Sequence, residues 1–234
     1  MNVLAFDTCL GACSVAVRKV SARGEVLLRE EYEERTTGHA EALMPMMQRV
    51  MEGAGLAFPA IDRIAVTEGP GSFTGVRIGV STARGLAVAL GRPIVAITSL
   101  MAMALRADHL LGGKRGARVL AVCVDARKGQ LYVQLFGENG GDALCAPLLV
   151  TPQELLAHLA GRPFLAVGSG AAALMAASAT GEGDIALPAL EPHARTLALL
   201  APALPVRPKL SPLYMRPPDA KPASPAAAIT LGRS

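Results

Sequence analysis

Three short segments of the chain carry residues that could bind a nucleotide. They combine polar or acidic side chains with strand ends or glycines, and they are Asp7-Thr8, Asp125-Ala126-Arg127 and Gly168-Ser169-Gly170. Carboxylates at the ends of two equivalent strands could face each other across a cleft and hold a hydrated magnesium ion and a triphosphate. Acidic residues also begin turns after strands, so phosphoryl transfer and simple turn formation both remain open from these residues.

A glycine-rich segment, Glu68–Gly79, lies between a predicted strand and a predicted helix. Ser72 is a suitable N-cap, and the free amides of the first helical turn attract anions. No Gly-Lys-Ser/Thr follows, so the segment is not a Walker loop. Gly75, Gly79 and Ala83 recur every four residues and form a ridge almost without side chains. Such a ridge predicts close packing, either against this chain's own sheet or against a partner subunit.

Apolar side chains at helical spacing cover one broad face of the segment from Gly38 to Glu52. The face is rich in methionine, which repacks readily and is common on binding surfaces; its apolar residues are Ala40, Leu43, Met44, Met46, Met47, Val50 and Met51. A face this wide predicts either a deeply buried helix or a surface that binds another protein.

The sequence gives little support for a metal site or for catalysis by a nucleophilic side chain. The four histidines are widely separated, and no His-Glu-x-x-His or Gly-x-Ser-x-Gly occurs; the histidines are His39, His109, His158 and His193. The four cysteines lie in apolar contexts and lack zinc-site spacing, which predicts reduced core thiols and a cytoplasmic protein. We therefore expect no metal site and no catalytic residue in this chain.

Composition narrows the function classes further. Hydrophobic residues make up 51% of the 234 residues and charged residues 18%, which predicts a folded chain with a sizeable core. No apolar stretch is long enough to cross a membrane, and we expect no signal peptide. The net charge of +4 suggests nucleic acid as a partner, but an aromatic content of 3% provides no platform for stacking bases. Any direct contact with RNA would therefore be made to phosphate.

The order of predicted elements repeats itself along the chain. Strand-like and helix-like patterns follow the order βββαβαβα up to residue 111, and βββαβα begins again near Val119. In the second half, Thr151 is a predicted N-cap, with Glu154 in the first turn. The repeat predicts an α/β protein with an N-terminal lobe (1–105), a C-terminal lobe (106–201) and a cleft between them. The proline-rich tail (202–234) is predicted to be extended, and disordered past Asp219.

Several of these segments together resemble the bacterial TsaB (YeaZ) family. The resemblance spans most of the chain, and its most specific part is the Gly-Pro-Gly-Ser-Phe-Thr-Gly block; the matching segments are Val3–Cys9, Cys13–Val17, His39–Met46, Glu68–Gly79, Ala83–Ala87, Asp125–Tyr132 and Pro212–Arg216. Cys9 is a departure, because many relatives carry serine there. The departure weakens any phosphate-binding role for this turn.

The resemblance implies a fold and a function. The fold would be the two-lobed actin/hexokinase-like type (ASKHA, ribonuclease H-like) with duplicated βββαβα units. The function would be that of a non-catalytic subunit of the tRNA threonylcarbamoyl transferase complex. In that family TsaD holds the metal and transfers the threonylcarbamoyl group to the adenosine beside the anticodon, TsaE supplies ATPase activity, and a separate synthase makes the threonylcarbamoyl-adenylate.

The resemblance also implies an interface, partners and cofactors. Two helices would contact TsaD, or a second copy of this chain when TsaD is absent; the expected interface residues are His39, Leu43, Met44, Met47, Met51, Gly75, Arg77, Gly79 and Ala83. The nucleotide segments would be vestigial and no cofactor would be tightly bound, so that ATP or ADP and magnesium could bind only in the complex. The complex would also make the contact with tRNA. Two alternatives are an ATP-dependent phosphotransferase of the acetate- or sugar-kinase type and a glycoprotease-like metallopeptidase.

Overall fold

The computed structural model describes residues 1–139, 141–178 and 183–216. Its first half follows the predicted order, with a single 3-10 turn at Phe58–Ala60; the elements are β1 (Val3–Asp7), β2 (Ala12–Val20), β3 (Val26–Glu34), α1 (His39–Gly53), β4 (Arg63–Thr67), α2 (Phe73–Leu90), β5 (Ile94–Ile97) and α3 (Ser99–Leu111). The Ser72 hydroxyl caps α2 by accepting from the Gly75 amide at 3.0 Å. Gly91, with φ of 63°, ends this helix in the left-handed conformation that glycine adopts readily.

The second half contains β6 (Val119–Asp125), β7 (Leu131–Phe136), β8 (Leu148–Val150), α4 (Pro152–Leu159), β9 (Phe164–Val167), α5 (Ala171–Ala177), β10 (Gly183–Ile185) and α6 (Ala194–Leu200). The predicted cap of α4 is confirmed, because Thr151 and Glu154 form a reciprocal capping box. The third strand of this half is short: β8 has three residues, and Pro147 before it has no amide to donate.

The two halves form two sheets with the same topology. The first sheet has the strand order β3-β2-β1-β4-β5, and the second has β8-β7-β6-β9-β10. In each sheet, the first three strands of the half are antiparallel and the last two join in parallel. This repeat confirms the predicted two-lobed α/β fold with duplicated units. No helix in the described part of the chain is long and apolar enough to cross a membrane.

Helices cover both faces of the first sheet. On one face, α1 and α2 pack over alternate strand residues such as Leu4, Phe6 and Val15. On the other face, α6 packs over Val3 and Ala5. Although α6 lies in the second half of the chain, it therefore completes the core of the first lobe. The predicted lobe boundaries at residues 105 and 201 divide the chain in sequence order, whereas α6 lies between these boundaries and packs on the first lobe.

Helix α3 belongs to the first half of the chain but packs on the second lobe. Its apolar side packs on strands of the second sheet, with Leu100 and Met103 against Leu120 and Phe136.

The tail after α6 packs against the first lobe. The Arg207 amide donates to the Ile94 carbonyl at 2.8 Å, and Leu210 is buried. Residues 202–216 contain neither helix nor strand. The prediction of disorder past Asp219 lies outside the described residues.

Candidate functional site

The glycine ridge of α2 packs against this chain's own β1–β2 loop. The Thr8 hydroxyl donates to the Gly75 carbonyl at 2.7 Å. A Cβ atom on Gly75 would overlap the Thr8 carbonyl oxygen, and a Cβ atom on Gly79 would lie 2.8 Å from Thr8 Oγ1. Ala83 is also fully buried. The close approach of the loop therefore accounts for the two glycines within this chain, and Ala83 packs in the core of the first lobe. The role of these three residues as partner contacts stays a prediction.

The methionine-rich face of α1 packs mainly into the core of the first lobe. Leu43, Met47 and Met51 are at most 2% exposed, and all three belong to the core cluster. His39 is 6% exposed, and its Nε2 lies 3.1 Å from the Leu10 carbonyl oxygen. Packing within this chain therefore accounts for these four side chains, and their place in a partner interface stays a prediction. Met44, which is 41% exposed, reaches the surface.

A second surface of the two helices remains available to a partner. Helices α1 and α2 are neighbours in one layer over the first sheet. On the outer side of this layer Val88 is 85% exposed, and Met44, Arg77 and Arg84 are also exposed. We call this side the outer α1–α2 surface. It contains large exposed apolar side chains at Met44 and Val88, flanked by arginines.

Asp7 lies beneath the surface and does not line a cleft. It is 0% exposed, the Thr67 hydroxyl donates to its Oδ1, and the Cys9 amide donates to the same atom at 3.4 Å. Its Oδ2 has no hydrogen-bond partner in the described structure. Burial raises the pKa of the Asp7 carboxyl to about 6 because the charged form loses its hydration, and the bond from Thr67 opposes that effect.

The thiol of Cys9 is equally inaccessible. It lies 3.1 Å from Thr67 Oγ1 and is fully buried. Burial, and to a lesser degree the neighbouring Asp7 charge, raises its pKa well above the usual thiol range. A thiol held in the neutral form is a poor nucleophile, so Cys9 behaves as a core side chain, as predicted.

A cleft of about 480 Å³ separates the lobes, and the second-lobe candidates lie along it. Asp125, Arg127 and Ser169 line this cleft. The Asp125 carboxylate accepts from the Arg127 amide at 2.7 Å, and the Ser169 hydroxyl accepts from the Asp125 amide at 3.1 Å. These bonds fix the turn after β6.

Gly168 and Gly170 allow this turn to pack closely. Gly168 has φ of 90°, and a Cβ atom there would lie 2.5 Å from the Cys123 carbonyl oxygen. The Gly170 amide donates to the same oxygen at 2.9 Å. The two glycines therefore hold the start of α5 against β6, which accounts for them without a phosphate.

The hypothesis of magnesium held between Asp7 and Asp125 is contradicted by this geometry. Asp125 is exposed in the cleft, whereas Asp7 is sealed by the β1–β2 loop and the turn before α2. A Cβ atom on Gly71 in that turn would overlap the Cys9 carbonyl, which shows how tightly the cover fits. No group of three or more His, Cys, Asp or Glu side chains among the described residues is placed to hold a metal ion.

Glu191 is a cleft residue that the sequence patterns missed. Its carboxylate accepts from the Gly11 amide at 3.1 Å, across from the second lobe's turn at Asp125. Burial raises the pKa of Glu191 to about 7, against the effect of the Gly11 bond, and the charge on Asp7 adds to the rise. The segment around Glu191 has no periodic pattern, so only the position before Pro192 marks it as a turn.

The tail also enters the cleft, which the sequence did not predict. Tyr214, Met215 and Arg216 line it together with Phe73 at the start of α2. The matching tail motif was recognised from its residues, but its place between the lobes depends on contacts distant in the chain.

Known proteins match this chain along most of its length. Residues 32–187 match the family described as TsaD, tRNA N6-adenosine threonylcarbamoyltransferase. The tRNA threonylcarbamoyladenosine biosynthesis protein TsaB of Escherichia coli is 35% identical over 181 residues, which cover 73% of this chain and 72% of that protein. An uncharacterized protein of Mycobacterium tuberculosis is 33% identical over 227 residues, or 94% of each chain.

The solved structures agree with the sequence relatives. YeaZ from Pseudomonas aeruginosa superposes with a TM-score of 0.76 at 30% identity, covering 92% of this chain and 99% of that one. The two-lobed architecture described above is therefore shared over nearly the whole described chain.

Proposed function

This chain belongs to the TsaB (YeaZ) family of tRNA threonylcarbamoyladenosine biosynthesis proteins, and on that premise we propose that it is a non-catalytic subunit that binds and activates TsaD. One observation carries the non-catalytic assignment. The strand-end carboxylate Asp7 is sealed from the cleft, so it cannot reach a metal ion or a phosphate there. The catalytic step, threonylcarbamoyl transfer to the adenosine beside the anticodon, then belongs to TsaD.

We assign partner binding to the outer α1–α2 surface. Large exposed apolar side chains beside polar ones are common in protein interfaces, and Val88 and Met44 are two such side chains on this surface. The same surface would form a homodimer when TsaD is absent. TsaE, with ATP or ADP and magnesium, would join through the complex, and tRNA would be contacted indirectly.

The setting for this role would be the cytoplasm, where tRNA is modified. The four cysteines are free thiols, and three of them are buried in the two cores. Such thiols suit a reducing compartment. No observation favours the phosphotransferase or metallopeptidase alternatives.

Introducing a positive charge at the exposed apolar residues tests the proposed interface. We expect Val88→Arg and Met44→Arg each to weaken binding to purified TsaD at least about tenfold, because each would place an unpaired charge in a desolvated contact. Titration calorimetry measures the Kd, and sedimentation measures the homodimer. Both side chains are exposed, so the variants should unfold at the wild-type temperature.

A matched variant on the opposite side of the first lobe serves as the control. Leu199 on α6 is 49% exposed, and Leu199→Arg should bind TsaD as the wild type does. If both interface variants retain wild-type affinity, the assignment of this surface is wrong. Variants at Gly79 or Met47 are unsuitable, because these positions are buried and would report on folding.

A further inference from the structure

The tail motif lies across the two lobes, and its first half is fixed to the first lobe. The Leu213 amide donates to the Glu68 carbonyl at 2.7 Å. The Tyr214 ring lies 5.0 Å from the Phe73 ring, and Arg77 Nε donates to the Tyr214 hydroxyl at 2.8 Å. The guanidinium of Arg77 also covers the Phe73 ring at 3.9 Å. A tilted aromatic contact and cation–π contacts therefore attach Tyr214 to the start of α2.

Two residues later, the same segment is fixed to the second lobe. The Arg216 guanidinium donates to the Ala126 carbonyl at 2.5 Å, to the Gln130 side-chain oxygen at 2.6 Å and to the Arg127 carbonyl at 3.3 Å. The forked donors of arginine suit such a set of converging acceptors. These charge-assisted bonds are stronger than bonds between neutral groups.

The acceptors belong to an unusual turn. Arg127 and Lys128 are non-glycine residues with positive φ, at 62° and 56°, and Gly129 follows at 72°. Left-handed residues need compensating contacts, and Arg216 supplies them by binding the carbonyls that this turn presents. The bonds of Arg216 thus fix both the turn and the distance between this turn and α2.

We propose that Leu213–Arg216 is an inter-lobe clasp that sets the opening of the cleft and covers it. With the clasp bound, the cleft side chains of Tyr214 and Arg216 occupy the space between Phe73 and Ala126. With the clasp released, the lobes are free to separate at that edge and the cleft becomes accessible. The proposal concerns the lobes alone and does not depend on the partner assignment.

A single introduced tryptophan can report on the clasp, because the chain contains no Trp. In a Tyr214→Trp background, Arg216→Ala should raise the acrylamide quenching constant at least about twofold, since the ring loses its packed environment. Arg207→Ala is the matched control: Arg207 lies in the same tail, and its side chain binds Glu68 of the first lobe, at 2.9 Å, with no bond to the second lobe among the described residues. It should leave the quenching constant unchanged.

Hydrogen exchange without the tryptophan separates a clasp from a local cap. Arg216→Ala should speed amide exchange at least about tenfold both in the turn at 126–130 and in the first turn of α2, whereas Arg216→Lys should give a smaller increase. Equal quenching in the Arg216 and Arg207 variants would overturn the proposal. Faster exchange in the 126–130 turn alone would also overturn it, because Arg216 would then stabilise only that turn. Circular dichroism verifies that each variant remains folded.

Discussion

Gly75→Ala is expected to lower the free energy of unfolding by about 3 kcal/mol, even though alanine favours helices more than glycine does. The added Cβ atom would overlap the Thr8 carbonyl oxygen and lie 2.6 Å from Ser72 Oγ. The first of these is a backbone atom held by the β1–β2 loop, so it cannot move away cheaply. The second is the N-cap of α2, so the variant also disturbs the start of this helix.

Gly85→Ala provides a control in the same helix. No atom lies within 4 Å of a Cβ atom at Gly85, and this residue is exposed. The free energy of unfolding should therefore rise by about 0.5–1 kcal/mol, as expected for replacing glycine inside a helix. Urea unfolding followed by circular dichroism measures both values. Similar changes in the two variants would show that the ridge is not in close contact with the loop.

Replacing Asp7 by Asn should change how stability depends on pH. Because the folded protein raises the Asp7 pKa to about 6, it binds this proton more tightly than the unfolded chain does. The resulting stability is fully present below the unfolded pKa, near 4, and is lost as the pH rises through about 6. The difference in unfolding free energy between Asp7→Asn and wild type should thus shift by about 2 kcal/mol in favour of Asn between about pH 4 and pH 7.

Using the difference between the two proteins removes the constant effect of the amide and the contribution of titratable groups that do not interact with Asp7. Glu191 still contributes to the difference, because the Asp7 charge raises its pKa. Thr67→Val provides a second comparison, because Thr67 donates the hydrogen bond that lowers the Asp7 pKa. As the pH rises, the Thr67→Val variant should continue to lose stability up to a higher pH than the wild type does. Urea unfolding at a series of pH values gives all three profiles. A difference that is independent of pH would mean that Asp7 is not held in a desolvated site.

Local sequence patterns predicted the elements well where the pattern was long. The period of α1 and α2, the Ser72 and Thr151 caps and the alternation in β2 all come from neighbours in the chain, and the structure confirms those elements. The patterns failed at short elements such as α6, whose seven residues lie between prolines and display less than two turns of periodicity.

These patterns do not show whether a helix face contacts this chain's own core or another protein. Periodicity identified the apolar face of α1, and glycine spacing identified a close approach on α2. Neither pattern states which surface fills the space. The chain's own core contacts Met47, and Thr8 contacts Gly79, and the same two positions are predicted partner contacts. Similarly, Asp7 and Asp125 occupy equivalent strand ends, but only the tertiary cover over Asp7 distinguishes a buried carboxyl from a cleft carboxyl.

The crossing of α6 onto the first sheet has a consequence for synthesis on the ribosome. Val3, Ala5 and Ala65 lie in the face that this helix covers, and they emerge long before Ala194–Leu200. A nascent chain that ends near residue 105 therefore exposes an apolar sheet face to chaperones and to other chains. The N-terminal lobe reaches its final packing only after nearly the whole described sequence has left the exit tunnel.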